Sequence, residues 1–176
     1  MALLIKEYSQ LWDYLTICAK HRRISIVYDF AIKFKIKKFK EPQKEFFCKR
    51  GLVWHVTVLA FNVNNTLQTL SIVHCFTNVP QDSDCVFGIV DNVFSFKNSQ
   101  FHILTIDLVS DNAACYHCQE IICFLPLIAA KRKVFLESYH FSEPQMGKGI
   151  ADRKISLMKS AINQHVNEDN NITSIE

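Results

Sequence analysis

Three carboxylates in this chain stand where apolar runs end or where a helix begins. Asp29 closes the strand-like run Ile24-Ser-Ile-Val-Tyr-Asp29, and Asp111 lies in Ser110-Asp111-Asn112, just beyond another apolar run. Asp152 stands beside Arg153 at the head of a helix-like segment that follows Gly147-Lys148-Gly149. Two strands and a helix that bring three acids together provide what a two-metal phosphoryl-transfer site needs. Two divalent ions about 3.5–4 Å apart can then clamp the attacking and the leaving oxygen. Hard oxygen ligands point to Mg²⁺ or Mn²⁺ as those ions.

Each acid also has a plainer explanation. Asp29 could be an ordinary strand-end acid, and any of Ser110, Asp111 and Asn112 could cap the following helix. Asp152 suits the positive end of a helix dipole. Asp107 is a rival to Asp111, but an acid at a strand's end reaches a surface site more easily than one within the strand. Glu143, before the Gly-Lys-Gly turn, is the alternative third acid. Cys115-Tyr-His117-Cys118 with Cys123 nearby has no second paired knuckle, so a tetrahedral zinc site is not expected. His117 lies close enough to Asp111 in sequence to approach the acids. His55 and His74 read as packing or surface residues. Gly147-Lys148-Gly149 is too short for a phosphate-cradling loop and lacks the following Ser or Thr. The lysines from Lys33 onward are a solvated run by default and a nucleic-acid track in the functional reading, since phosphate contacts come chiefly from Lys and Arg.

The elements that must position these groups are read from periodicity. Residues 3–20 repeat apolar side chains at spacings of three and four (Leu4, Tyr8, Leu11, Leu15, Cys18), which predicts an amphipathic helix. Strands are expected over 24–34, 52–63, 67–76, 101–109 and 133–141. The basic connection 35–50 contains Pro42, which is expected to break any helix there. Asp82-Ser83 offers a helix N-cap before the stripe Val86, Phe87, Val90, Val93, Phe94. Residues 113–130 read as a buried helix interrupted by Pro126. The last helix, 150–166, carries the stripe Ile155, Met158, Ile162, Val166, and the polar tail from Asn167 onward is expected to fray. Three strands followed by alternating helices and strands predict a mixed α/β sheet with helices on its faces.

The chain as a whole is compatible with this reading. Its 176 residues approximate one domain, and 49% hydrophobic with 21% charged residues excludes a disordered tail. A net charge of +3 permits a polyanionic partner without requiring one. Seven irregularly spaced cysteines form no disulfide framework, so a reduced, intracellular protein is expected. No apolar run approaches the length of a membrane span.

Four motifs together resemble a known family. Asp29-Phe-Ala-Ile-Lys33-Phe34, Lys49-Arg50-Gly51-Leu-Val-Trp54-His55, Ser110-Asp111-Asn112-Ala-Ala-Cys115-Tyr116-His117 and Phe141-Ser-Glu143-Pro-Gln-Met-Gly147-Lys-Gly149-Ile-Ala-Asp152-Arg153 are similar to stretches of transposon-derived, ribonuclease H-like transposases of animal genomes. The resemblance implies a ribonuclease H-like domain over 24–168 with a mixed five-stranded sheet, preceded by the helix within 1–23 and followed by the tail 169–176. In that fold the first and fourth of these strands are neighbours. It implies Asp29, Asp111 and Asp152 as metal-binding acids for DNA strand cleavage and transfer. Lys33, Lys35, Lys37, Lys38, Lys148 and Arg153 would be the nucleic-acid contacts. It implies DNA as partner, no membrane, a nuclear or otherwise intracellular location, and leaves self-association open. Ile150-Ala151 stands where the family has proline and cysteine, and Ala114 stands where it has glycine. With flanking DNA-binding fingers absent from the sequence, a truncated copy is expected. The alternative is a remnant that keeps the fold and binds nucleic acid or protein without cleaving.

Overall fold

Alternation along two long strands divides this protein's interior into two layers. The computed structural model describes residues 2–3, 23–35, 37–48, 51–63, 66–100, 105–142 and 149–172. Along β2 (Arg23–Phe34), Ile24, Ile26 and Tyr28 enter one core while Val27 and Ala31 pack into the other. β3 (Leu52–Val63) and β4 (Thr66–Phe76) form an antiparallel pair, and β3 also pairs antiparallel with β2. β5 (Thr105–Ser110) and β6 (Phe135–Phe141) extend the sheet in parallel with β2. A two-residue strand, β1 (Ala2–Leu3), pairs with His74 and Val73 of β4. The order is β1-β4-β3-β2-β5-β6, so the expected five-stranded mixed sheet is present with one short addition at its edge.

One face is covered by α2 (Ser83–Gln100), α3 (Ala114–His117) and α4 (Gln119–Lys131). Asp82 starts α2 as expected, its Oδ1 accepting the Cys85 N–H at 3.0 Å. The other face is covered by α5 (Ile150–Asn167), whose Ala151 and Ile155 pack on Ala31, Trp54, Val56, Val58 and Val73. No helix among the described residues is long and apolar enough to cross a membrane.

Several sequence expectations are corrected. The basic connection is not free of helix: α1 (Gln43–Cys48) begins directly after Pro42. A proline ahead of a first turn costs no hydrogen bond, because those N–H groups have no partner inside the helix. Pro126 does not interrupt its helix either; it sits within α4, and the break falls at Cys118, whose backbone is extended. Pro126 only removes a donor to Ile122, and both residues are exposed, so water can take the freed carbonyl. α4 ends in a Schellman-type turn with Lys133 at φ 53, closed by Val134 N–H to the Ala129 carbonyl and Lys133 N–H to the Ala130 carbonyl. The tail is tied down in part: Asn171 Oδ1 accepts the Phe39 N–H at 2.9 Å, and the Ile172 N–H donates to the Lys37 carbonyl at 3.0 Å. Of the helix expected over 3–20, Leu3 lies in β1 instead and residues 4–20 lie outside the described residues, as does the start of the strand expected at 101.

Candidate carboxylate site

β2 and β5 lie side by side with Tyr28 opposite Ser110, so Asp29 and Asp111 follow at the same level on neighbouring parallel chains. Tyr28 belongs to the core under α2–α4, and Asp29, one residue on, faces α5 beside Val27 and Ala31. α5 carries Asp152 in its first turn, next to the buried Ala151. Packing of that helix on β2 and β3 thus brings Asp152 within electrostatic reach of Asp29.

The electrostatics tie the three together. Burial pushes the Asp29 carboxyl up to about 7, and the charges of Asp111 and Asp152 push it the same way, while a backbone hydrogen bond from Phe30 partly offsets them. Asp111 also serves a local turn, its Oδ1 accepting the Ala113 N–H at 3.1 Å. The N-cap of α3 is Ala113, without a side-chain capping bond. Among the described residues no three His, Cys, Asp or Glu side chains close around a single point as metal ligands. The acids face one region but do not form a finished coordination sphere. Three carboxylates that feel one another's charge, with Asp29 raised by burial and then by the other two, are the hard-oxygen donor type that a divalent cation takes, although as they stand they do not enclose one.

A phenol supports the two strand positions from the opposite face. Tyr28 donates its hydroxyl to Tyr139 Oη at 2.7 Å, and Tyr139 donates to the Tyr116 carbonyl at 3.0 Å. Ser110 Oγ lies 3.2 Å from the same Tyr139 oxygen and donates to the Asp111 carbonyl at 2.9 Å. Ser142 fastens the Ser110 carbonyl with both its N–H, at 2.8 Å, and its hydroxyl, at 3.0 Å. The residues immediately before Asp29 and Asp111 therefore share one anchor. Sequence reasoning missed Tyr139, because its expected strand gives no sign of which aromatic reaches across the sheet.

Beneath the acids lies an aromatic layer. His55 is fully buried between Tyr28, Phe30 and Tyr116, with ring centroids 5.9, 4.8 and 6.3 Å away, and pairs across the ladder with His74. Burial first, and then the His74 charge, holds the His55 imidazole well below the usual histidine range. Among the described residues, the Tyr116 hydroxyl and His55 Nε2 have no hydrogen-bond partner. Burial, reinforced by the charges of Asp29 and other neighbours, raises the Tyr116 phenol.

The other sequence candidates divide clearly. Asp107 is not at the site: Arg23 grips it with Nε at 2.7 Å and Nη2 at 3.0 Å, and Ser138 donates to it at 2.7 Å. The Arg23 hydrogen bonds hold its carboxyl below the ordinary value. Lys33 and Lys38 are exposed along the chain leaving Asp29, as is Arg153 beside Asp152. Lys35 lies over the Phe47 ring at 5.4 Å, and Lys37 Nζ donates to Asn163 Oδ1 at 2.6 Å. Glu143 and Lys148 lie outside the described residues. His117 is turned to the Ala113 carbonyl at 2.9 Å. Cys115 is a half-buried thiol pushed up to about 11 by desolvation, then by Asp111.

Comparison with solved structures finds distant likenesses. The LC11-RNase H1 structure in complex with an RNA/DNA hybrid is 14% identical, with a TM-score of 0.39, covering 78% of this chain and 99% of that one. RNase H1 from the halophilic archaeon Halobacterium salinarum NRC-1 is 13% identical, with a TM-score of 0.37, covering 78% and 98%. The Mos1 transposase paired-end complex with the left transposon end is 10% identical, with a TM-score of 0.43, covering 98% of this chain and 52% of that one. No family model matches, and a search of curated proteins finds no match. The fold class rests on the topology itself: a mixed sheet with β2 beside β5 and helices on both faces, the arrangement expected of a ribonuclease H-like domain.

Proposed function

We propose that this chain is a transposase-like catalytic domain that cleaves and transfers DNA strands with two bound Mg²⁺ or Mn²⁺ ions. The observation that carries the reading is the parallel register that sets Tyr28 opposite Ser110, so that Asp29 and Asp111 follow side by side, with Asp152 in the first turn of the helix packed on β2; burial raises the Asp29 carboxyl, and the charges of Asp111 and Asp152 add to it. Acids that repel one another are costly without a counter-charge, and a divalent cation supplies one. Asp29, Asp111 and Asp152 would hold the ions, with Glu143 as the other candidate for the third place. The ions, when bound, supply Lewis-acid stabilisation of the attacking and leaving oxygens. Asp29, raised to about 7, would have to be in its ionised form to hold an ion, so binding there would be favoured as pH rises. Asp111 keeps one oxygen on its own turn and offers the other. The Tyr139 anchor fixes the spacing of the two strands that carry them. Lys33, Lys35, Lys37, Lys38, Lys148 and Arg153 are the proposed backbone-phosphate contacts, and a DNA substrate implies action in the nucleus.

Calorimetric titration with Mn²⁺ tests the site. Wild type should bind measurably, and Asp111→Asn should lose binding. Equal binding by both would remove Asp111 from the site. A strand-cleavage assay with Mn²⁺ then separates the readings: cleavage lost in Asp29→Ala supports the enzyme, whereas metal binding without cleavage leaves the non-cleaving remnant.

A further inference from the structure

The outer face of α4 carries a stripe that reads the same in both directions. Residues 120, 124, 127 and 131 recur at spacings of four, three and four, so Glu120, Phe124, Leu127 and Lys131 line one side of the helix. The opposite side, Ile121, Leu125 and Ala129, is buried in the core. Phe124 is 52% exposed and Leu127 62%, with Cys123 and Ala130 exposed beside them. A helix apolar on both sides normally has a second covering layer.

Charge indicates what covers it. The stripe has an acid at one end, a base at the other and two large apolar groups between. About its midpoint, between Leu125 and Pro126, position 120 corresponds to 131 and 124 to 127. A second α4 laid antiparallel on a twofold axis therefore sets Glu120 against Lys131 and Phe124 against Leu127, each contact occurring twice. A parallel partner would instead oppose like charges. Phe87 of α2 meets the Phe124 ring edge-on at 6.0 Å, which fixes one of the apolar groups and widens the patch. Glu120 already accepts the Ser83 hydroxyl at 2.9 Å, which holds its carboxylate near the stripe.

We propose that α4 is the self-association face of this protein, pairing antiparallel with α4 of a second copy. The helix is about 20 Å long, so the interface is at the small end of specific contacts and the dimer is weak. Sedimentation velocity of the full chain from about 1 to 100 µM should show a concentration-dependent monomer–dimer equilibrium. Leu127→Glu should leave a monomer with an unchanged circular dichroism spectrum. Glu120→Lys alone and Lys131→Glu alone should each weaken the dimer about tenfold, because each opposes like charges twice. An equimolar mixture of the two variants should recover dimer, since both cross-pairs then have opposite sign. A wild type monomeric throughout the range overturns the proposal. So does a dimer indifferent to Leu127→Glu, or a mixture that associates no better than either variant.

Discussion

Asp29 is the residue at which burial and charge conflict most directly, and its effect on stability has a definite sign. An aspartate in the unfolded chain releases its proton near 3.8, whereas folded Asp29 holds its own to about 7. Between those values the folded state binds more protons, so stability falls as pH rises through that window and stays lower above it. Asp29→Asn keeps the shape and removes the charge. It should raise Tm at pH 8 by about 2–4 °C and change it little at pH 4.5. Melting curves at the two pH values decide this, and an equal effect at both would mean that the carboxyl is not strained. Asp29 and Asp111 were legible as candidates because each adjoins an apolar run. The disposal of Asp107 was not, because its partner Arg23 lies 84 residues away in sequence. A residue's neighbours along the chain do not reveal a bidentate guanidinium that arrives from another strand.

At the scale of elements, α5 is the part that would supply the third acid of the proposed site. Ile155 is buried against the α5-side core and stands one turn after Asp152. Ile155→Ala should cost about 2–4 kcal/mol in urea unfolding. It should also weaken Mn²⁺ binding in the variant that remains folded, through a looser helix. A full stability loss with unaltered Mn²⁺ affinity would separate the helix from the site. β3, β4, α2 and α5 could be read in advance because each has a strong period and a face with a single environment. The elements around the prolines could not. Whether proline breaks a helix depends on whether its missing N–H would have been used, and that is fixed by the surroundings. Pro42 precedes α1, and Pro126 sits on an exposed side of α4. The two-residue β1 is too short to carry any period and exists only through its pairing with His74 and Val73.

For the whole molecule, the strand order follows from alternation and topology, while the side-to-side fastening through Tyr139 depends on where two phenols, the Ser110 hydroxyl and the Tyr116 carbonyl meet after the sheet has closed. That parallel junction of β2 with β5 has a kinetic consequence. β2, β3 and β4 are consecutive antiparallel neighbours, whereas β2 reaches β5 only across the intervening meander and α2. Loop-closure entropy favours the meander early and the distant parallel pairing late. The acids therefore meet after most of the apolar surface is already enclosed. Leu108→Ala in β5 should accelerate unfolding with little change in the folding rate, whereas Val58→Ala in β3 should slow folding. Stopped-flow chevrons measure both, and a strong folding-rate effect at Leu108 would reverse the order. On this pathway the repulsion among the carboxylates is confined to the final step, where it slows neither collapse nor the nucleus that directs it.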